Sequence, residues 1–334
     1  MPIAHKVRLA VDAMGGDFAP QAVLEGVRVA LAADPALEVL LVGSPAVVDA
    51  FAAGQERCLA IAASEIITMD EHPASAVRAK VDASVVVGCR LVKGGEADGF
   101  LSAGSTGAVM ASATLLMGRM KGVLRPAIAA VLPTADAPCV LLDVGANADC
   151  KPEFLVQFAK MGAAYSRATL GVASPRVALL NIGEERGKGS RLAQEAYCLL
   201  ADGVHGFIGN IEGREVPAGA ADVVVTDGFT GNVALKLMEG MSTQLLAQFK
   251  EAMLSSPMNK VAAAVLKPSL DGLRDRLDPD QHGAAPLLGV NGLALIAHGS
   301  SSPRAIASAL RVGAVAVRGD LLARTREALS LTDA

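Results

Sequence analysis

Residues 223–236 read VVVTDGFTGNVALK. The β-branched run at the start of this stretch is typical of a buried strand and stops at Asp227 and Gly228, and apolar residues return at helical spacing after Asn232. A buried strand that leads through a short polar loop into a helix is the repeating unit of a parallel α/β sheet. The stretch therefore predicts an α/β fold in which Asp227, Thr230 and Asn232 lie where a strand ends and a helix begins.

The same succession of an apolar run, a polar loop and a helix-like segment occurs six more times. The stretches are VRLAVDAMGGD (7–17), LEVLLVGS (37–44), ADGFLSAGSTG (97–107), CVLLDVGAN (139–147), RVALLNIGEE (176–185) and GFIGNIEGRE (206–215). Because crossovers between parallel strands are right-handed, they place such loops at the carboxyl edge of one sheet, where open α/β sheets bind ligands. We expect a Rossmann-like, mostly parallel sheet with helices on both faces, and all seven polar loops along one edge.

Composition narrows the classes of function. The chain has 334 residues, 52% of them hydrophobic, and a formal net charge of -4, so it can bury a sizeable core, and a general affinity for nucleic acid is not implied. Without Trp, and with two Tyr and eight Phe, it also has few rings on which bases could stack. We expect a single α/β domain over residues 1–334 that has no nucleic-acid partner.

Cysteine usage and hydropathy point to the cytoplasm. The five cysteines are scattered and form no CxxC pair, which fits reduced thiols better than a disulfide framework or a zinc site. The beginning of the chain lacks the pattern of a signal peptide, and no uncharged run approaches about 18 residues. No pair of carboxylate and histidine has the spacing of metal ligands. A soluble protein without a bound metal is therefore expected.

A long amphipathic helix is predicted after residue 232, because apolar residues recur there at three- and four-residue steps. Proline and Asp-Gly breaks within 255–283 then indicate a helical hairpin, so that about residues 233–282 would project from the α/β frame. Apolar side chains near its bend either pack on the body or on a second subunit, or contact a membrane or another partner. These residues are Met253, Leu254, Met258, Val261 and Val265.

The stretch SAGSTG, residues 102–107, is the strongest candidate for an anion site. Its hydroxyls and its glycines would let side chains and backbone N–H groups turn toward one phosphate group, at the positive end of the helix that follows. The residues are Ser102, Gly104, Ser105, Thr106 and Gly107. An ordinary capped helix is the alternative interpretation.

Other candidate motifs are weaker. GEERGKGS, residues 183–190, lacks the spacing of a P-loop, and no GxGxxG follows the first strand, so neither ATP nor NAD is expected as a cofactor. Lys188 in this glycine-rich loop can still carry its ammonium group to an anion. His298 follows an apolar run at a strand end, where a catalytic role and a buried, hydrogen-bonded role fit equally well. No GxSxG nucleophile motif is present.

Several motifs in order resemble one family. They are AVDAMGGDFAP, SAGSTGA, RPAIA, LLDVGAN, LVQFAKMG, PRVALLNIGEE, FIGNIEGRE, VTDGFTGNVALK and AHGSS, and they extend over most of the chain. Together they resemble the bacterial phosphate acyltransferases of phospholipid synthesis, the PlsX family. The resemblance implies a fold similar to that of the phosphotransacetylases and the isocitrate dehydrogenase group.

The resemblance also implies an activity and a set of partners. Members of the family are soluble homodimers that transfer a fatty acyl group from acyl carrier protein to inorganic phosphate. The acyl phosphate passes to a membrane glycerol-3-phosphate acyltransferase, and a helical tip gives peripheral contact with the inner face of the cell membrane. No cofactor is implied.

For individual residues, the resemblance implies that Asp227, Thr230 and Asn232 form one wall of the phosphate and thioester site, with Lys236 one turn into the helix. The expected catalytic residues are Lys188, Asp227, Asn232 and His298. Further residues expected to line the site are Asp12, Gly15, Gly16, Asp17, Asn147, Thr230 and Lys236. The chain departs from the family pattern at Ser105, where asparagine is usual, and at Ala284, near which a glycine is expected.

The implied reaction needs no covalent enzyme intermediate, because phosphate is a nucleophile near neutral pH and a thiolate is a good leaving group. Two other interpretations remain: an acyl-CoA-dependent enzyme of the phosphotransacetylase kind, and a non-catalytic module that binds a phosphorylated ligand. An acidic carrier protein would need a local basic patch. The candidates are Arg119, Lys121 and Arg125, or else Lys250, Lys260, Lys267, Arg274 and Arg276.

Overall fold

The computed structural model describes residues 5–261, 263, 265–266, 279–281 and 283–330. Within them, eleven strands form one sheet in the order β3-β2-β1-β4-β11-β10-β5-β6-β9-β7-β8. The strands are β1 Val7–Asp12, β2 Leu37–Gly43, β3 Cys58–Ala62, β4 Gly99–Ser102, β5 Ala127–Leu132, β6 Cys139–Leu142, β7 Val177–Asn181, β8 Phe207–Glu212, β9 Val223–Val225, β10 Ala284–Leu288 and β11 Leu293–Ala297. The predicted strand positions are thus confirmed, and β3, β5 and β10 are additional.

Helices connect most of the strands. They are α1 Gln21–Ala33, α2 Pro45–Ala52, α3 Pro73–Ala79, α4 Ser84–Lys93, α5 Thr106–Ser112, α6 Pro152–Tyr165, α7 Arg191–Gly203, α8 Gly228–Leu254, α9 Pro303–Arg318 and α10 Leu321–Ser330. A π-helical segment, Ala113–Met117, extends α5. A second one, Ser166–Leu170, extends α6.

The strand residues alternate between two apolar layers, one on each face of the sheet. In β1, Leu9 is buried in the layer that contains Ile306 of α9, and Ala10 is buried in the layer that contains Val86 of α4. This two-residue alternation is a consequence of strand geometry, which turns successive side chains to opposite faces. Helices on both faces of a mostly parallel sheet are confirmed.

The two halves of the sheet run in opposite directions. β1, β2, β3, β4 and β11 are parallel to one another, as are β6, β7, β8 and β9. Between these halves the pairings β11–β10, β10–β5 and β5–β6 are all antiparallel. Since three reversals leave a net reversal, the second half points the opposite way from the first.

The expectation that all seven polar loops meet on one edge is therefore wrong. The loops after β1, β2 and β4 lie at one edge of the sheet, which we call the upper edge. The loops after β6, β7, β8 and β9 lie at the opposite edge, the lower edge. The antiparallel strands in the middle cause this division.

The long helix predicted after residue 232 is α8, which begins slightly earlier, at Gly228, and runs for 27 residues. Beyond Gly231 this helix is mostly exposed, and residues 257–261 form a further helical segment. Most of the return arm of the predicted hairpin, including Lys267, Arg274, Arg276 and His282, lies outside the described residues, so the hairpin and the single-domain boundary stay predictions. None of the described helices is both long enough and apolar enough to cross a membrane.

Candidate functional site

Asp143 organises the loop that follows β6 at the lower edge. Its carboxylate is fully buried and accepts five hydrogen bonds of 2.8–3.2 Å. The donors are the backbone N–H groups of Ile128, Gly145, Ala146 and Asn147 and the side-chain amide of Asn147. Burial raises the pKa of the Asp143 carboxyl above its ordinary value, and these N–H groups oppose the rise. The loop 143–147 is thus fixed from within.

The side-chain amide of Asn147, at the end of this loop, uses its nitrogen in hydrogen bonds within the described part of the protein and leaves its oxygen without one there. Its side-chain nitrogen donates to Asp143 at 2.9 Å and to the backbone carbonyl of Pro126 at 2.8 Å. Because both of these neighbours are acceptors, the orientation of the amide is determined. The carbonyl oxygen Oδ1 has no hydrogen-bond partner in the part of the chain that the structure describes. It can accept a hydrogen bond from a ligand.

The N-terminus of α8 packs against the same loop. The backbone N–H of Gly228 donates to the carbonyl of Asn147 at 2.8 Å. Asp227 is the N-cap, and its carboxylate accepts from both the backbone N–H and the hydroxyl of Thr230, each at 2.8 Å. The strand-ending Asp227 is thereby explained as a helix cap. It also lies within the group of predicted site residues.

Two more predicted residues follow on α8. Asn232 is exposed and stands beside Gly145, since a Cβ built on that glycine would lie 3.8 Å from the amide carbon of Asn232. Lys236 lies one turn further along and pairs with Glu239 at 2.8 Å on the helix surface. Asn232 therefore belongs to the group around Asn147, whereas the ammonium of Lys236 is engaged along its own helix.

Lys188 lies on the loop after β7, at the same edge. Only β9 separates β7 from β6, so the base of this loop is about 10 Å from Asp143 at the usual strand spacing. Its ammonium is half exposed, and it pairs with the exposed carboxylate of Glu185 at 3.9 Å, a weak surface contact. The ammonium of Lys188 is available to an anion at the lower edge.

An open cleft of about 780 Å³ adjoins Asn147. The far end of α5 and its π-helical extension form one side, the segment before β5 forms the second, and the start of α6 forms the third. The lining residues are Met110, Thr114, Arg119, Leu124, Arg125, Pro126, Ala146, Asn147, Lys151, Glu153 and Phe154. Arg119 and Arg125, two of the residues predicted to form a basic patch, thus share a cleft with a predicted site residue.

The upper edge holds a separate polar group. Asp12 is buried at the end of β1, and its carboxylate accepts from the Ser102 hydroxyl at 2.7 Å and from the Met14 N–H at 3.0 Å. Burial raises the pKa of the Asp12 carboxyl above its ordinary value. Gly15 packs closely here, because a Cβ at that position would lie 2.7 Å from the backbone nitrogen of Gly104.

Little free space remains within this upper group. The cavity beside Asp12 has a volume of about 10 Å³, which is room for about one water molecule. The hydroxyl of Ser102 also accepts from the N–H of Gly104 at 3.0 Å, and Ser105 is the N-cap of α5, accepting from Ala108 at 3.4 Å. Serine at position 105, where the family usually has asparagine, thus keeps a side chain that can cap the helix. Phosphate binding by Ser102, Gly104, Ser105, Thr106 and Gly107 stays a prediction.

Two upper loops touch each other next to this group. The N–H of Asp17 donates to the carbonyl of Gly299 at 2.7 Å, and a Cβ at Gly16 would lie 3.1 Å from that same carbonyl. His298 is exposed, and its Nδ1 accepts from the Ser300 N–H at 3.2 Å. This bond leaves Nε2 as the nitrogen that carries the proton in neutral imidazole.

The structure therefore divides the predicted site residues into two groups. The lower group contains Asn147, Lys188, Asp227, Thr230, Asn232 and Lys236. The upper group contains Asp12, Gly15, Gly16, Asp17, Ser102, Gly104, Ser105, Thr106, Gly107 and His298. A strand of six residues such as β1 separates the two edges by roughly 20 Å. The catalytic set of Lys188, Asp227, Asn232 and His298 is thus not brought together within one chain.

Several residues of the lower site have no strong signal in the sequence. Asp143 follows an apolar run, but only the folded loop reveals its five donors. Lys151 and Phe154 belong to no sequence motif, and they line the cleft because α6 begins beside it.

Ala284, the second departure from the family pattern, is the first residue of β10 and pairs with Ala297. No group of three metal-ligating side chains occurs among the described residues.

Comparison with known proteins places these features in a family. Residues 7–324 match the family described as "Fatty acid synthesis protein". The chain is 48% identical over 326 residues to a phosphate acyltransferase of Heliobacterium modesticaldum, covering 96% of this chain and 97% of the relative. It is 44% identical over 328 residues to a phosphate acyltransferase of an Exiguobacterium species, covering 97% of this chain and 100% of the relative.

Solved structures support the same fold. A phosphotransacetylase from Streptococcus pyogenes aligns with a TM-score of 0.60 at 17% identity, covering 93% of this chain and 94% of the other. The EutD phosphotransacetylase from Staphylococcus aureus aligns with a TM-score of 0.58 at 18% identity, with the same coverage. The fold expected from the sequence is therefore confirmed. With relatives this similar over nearly its whole length, the chain belongs to the phosphate acyltransferase (PlsX) family and is an enzyme that transfers an acyl group to phosphate.

Proposed function

We propose that the acyl donor is a fatty acyl thioester of acyl carrier protein and that the product is acyl phosphate for phospholipid synthesis. The main support is the open cleft at the lower edge, which lies beside Asn147 and carries three cationic side chains. An acidic carrier protein is attracted by local positive charge, although the whole chain is slightly acidic.

In the proposed reaction, a phosphate oxygen attacks the thioester carbonyl, and the thiolate leaves with the electron pair of the C–S bond. Lys188 holds the phosphate by charge, at the same edge as the cleft. The N-terminus of α8 supplies partial positive charge next to the carbonyl, and Asn232 and Asn147 orient the reactants. Asp227 positions this end of α8 through its cap.

The test compares two donors with the same acyl chain. The purified protein is incubated with inorganic phosphate and either acyl carrier protein thioester or acyl-CoA, and acyl phosphate is trapped with hydroxylamine. We expect the carrier thioester to be the better donor and Lys188→Ala to raise the KM for phosphate about tenfold, as the loss of a charge-assisted contact predicts.

Other outcomes of this assay contradict the proposal in distinct ways. A higher kcat/KM with acyl-CoA would favour the phosphotransacetylase-like alternative. Phosphate binding without loss of thioester would favour the non-catalytic module. An unchanged phosphate KM in a folded Lys188→Ala protein would remove Lys188 from the site.

We further propose that the enzyme is a cytoplasmic homodimer. On α8, large apolar side chains recur at every fourth residue and are exposed in the single chain, with Leu237 64% and Phe249 63% exposed. We call this row the α8 ridge; it consists of Phe229, Val233, Leu237, Met241, Leu245 and Phe249. Rows at four-residue spacing are the ridges that pack into grooves of another helix, which suits a second copy of the chain.

Peripheral contact with the inner face of the cell membrane is proposed for the segment beyond α8. Met258, Val261 and Val265 are exposed there, and Lys250 and Lys260 lie nearby. Partial burial of such side chains and attraction to anionic lipid give weak, reversible binding. Such contact would deliver acyl phosphate to a membrane glycerol-3-phosphate acyltransferase.

A pair of glutamate variants separates the two surfaces. Leu237→Glu, on the α8 ridge, is expected to convert the dimer to monomer, as measured by light scattering, because a buried unpaired charge is costly. Val261→Glu is expected to keep the dimer and to lose flotation with anionic liposomes. A dimer that survives Leu237→Glu would exclude the ridge, and flotation that survives Val261→Glu would exclude the tip.

A further inference from the structure

We propose that the cleft at the lower edge binds the thiol arm of the acyl donor, and that its cationic side chains bind a phosphate ester on that arm. This inference rests on the proposed function, because acyl carrier protein presents its thioester on a phosphopantetheine arm. The arm is a long, flexible chain with a phosphate ester at one end, two amide groups in the middle and the thioester at the other end.

The charges in the cleft fit the phosphate ester. Arg119, Arg125 and Lys151 line the cleft together with a single carboxylate, Glu153. In the ranges that the structure covers, none of the three cations forms a salt bridge, and the guanidinium of Arg119 makes one hydrogen bond, to the carbonyl of Leu124. Guanidinium groups bind phosphate oxygens in bidentate geometry, so unpaired arginines at the rim suit this group.

The remaining lining residues fit the rest of the arm. Met110, Leu124 and Phe154 give each of the three sides of the cleft an apolar contact for a methylene chain. The free oxygen of Asn147 and the carboxylate of Glu153 can accept from amide N–H groups, and the Thr114 hydroxyl can donate to an amide carbonyl. This mixture of apolar side chains with a few polar groups is typical of sites for organic ligands.

Inorganic phosphate is the other possible source of an anion in this cleft. A volume of about 780 Å³ lies within the range of pockets that hold ligands of drug size, which is far more space than one phosphate ion needs. The cleft also borders Asn147, and Asn147 contacts the start of α8 through Gly228. A thiol arm in the cleft would therefore bring its thioester toward the N-terminus of α8.

The experiment uses two minimal donors that differ in one group, S-acyl phosphopantetheine and S-acyl pantetheine with the same acyl chain. For wild-type protein we expect a higher kcat/KM with the phosphorylated donor. Arg125→Ala and Lys151→Ala should each lower kcat/KM for that donor about tenfold and leave the other donor unchanged. The KM for inorganic phosphate should stay constant. Both side chains are exposed and form no hydrogen bond that the structure records, so the variants should fold.

Binding is measured separately from turnover, by calorimetry of phosphopantetheine and of pantetheine without inorganic phosphate. Arg78→Ala, which removes an exposed arginine on α3, is the matched control and should change neither binding nor turnover. Equal effects of Arg125→Ala on both arms, or an effect only on the KM for phosphate, would overturn the assignment of the cleft. Phosphopantetheine binding that depends on Arg125, without any turnover, would support the cleft and contradict the proposed function.

Discussion

Replacing Asp143 with alanine is expected to destabilise the protein by on the order of 4 kcal/mol, because five N–H donors, that of Ile128 buried and the other four partly buried, would lose their common acceptor. Each unsatisfied buried donor costs about 1–3 kcal/mol, and local rearrangement or entry of water recovers part of the sum. Urea unfolding measures the change. Acyl transfer should also fall, since Asn147 loses the group that orients its amide.

Asparagine substitutions provide the comparison. Asp143→Asn keeps one oxygen but turns an NH2 group toward donors, so it should still be strongly destabilising. Asp12→Asn should be milder, because two of its partners, Ser84 and Ser102, are hydroxyls, which can accept from an amide NH2 group as well as donate to a carboxylate. If Asp143→Ala unfolds within about 1 kcal/mol of wild type, the loop is not held by this carboxylate.

The sequence predicts the βα units of this fold well, because each buried strand is a short run of aliphatic residues followed by a polar loop. It is less informative about strand direction. AAPLLGVNGLALIA, residues 284–297, contains β10 and β11 on either side of residues 289–292. Two apolar runs separated by a short glycine-containing segment are a hairpin signal, and this signal could have revealed an antiparallel pair.

The predicted site residues lie at two opposite edges because the pairings of β10 and β5 with their neighbours in the middle of the sheet are antiparallel. The sequence around Ser102 and the sequence around Asp227 both predict the end of a strand. Neither stretch indicates whether that end lies at the upper or the lower edge of the sheet. The distinction arises from hydrogen-bonded pairings between segments that are far apart in the chain. Sequence patterns of period 2 or 3.6 do not encode such pairings.

Sequence patterns do not predict the cleft either, for a related reason. Arg125 and Asn147 are 22 positions apart, and they meet because β5 and β6 are antiparallel neighbours with Ala129 opposite Leu142. This register brings the residue before β5 next to the loop after β6. Arg119 and Arg125 could be predicted as a basic patch from their spacing, but their position beside Asn147 depends on the register.

Gly231 lies at the contact between α8 and the loop 143–147, and replacing it is expected to have a large effect on stability. A Cβ added at Gly231 would overlap the backbone carbonyl oxygen of Asp143. Because neither partner can move aside by a side-chain rotation, Gly231→Ala must push the start of α8 away from the loop. We expect a loss of about 3 kcal/mol in the free energy of unfolding, as for overpacking of a tight contact. Acyl transfer should fall as well, because Asp227 and Asn147 would separate.

Gly240→Ala is the matched control on the same helix. Nothing lies within 4 Å of the position where its Cβ would stand, and Gly240 is exposed in the helix interior. Alanine there should stabilise the protein by about 0.5–1 kcal/mol, since glycine loses more backbone entropy on folding. Urea unfolding and acyl phosphate production are measured for both variants. If Gly231→Ala matches Gly240→Ala in stability and in turnover, then the close packing of α8 against the loop is needed neither for the fold nor for acyl transfer.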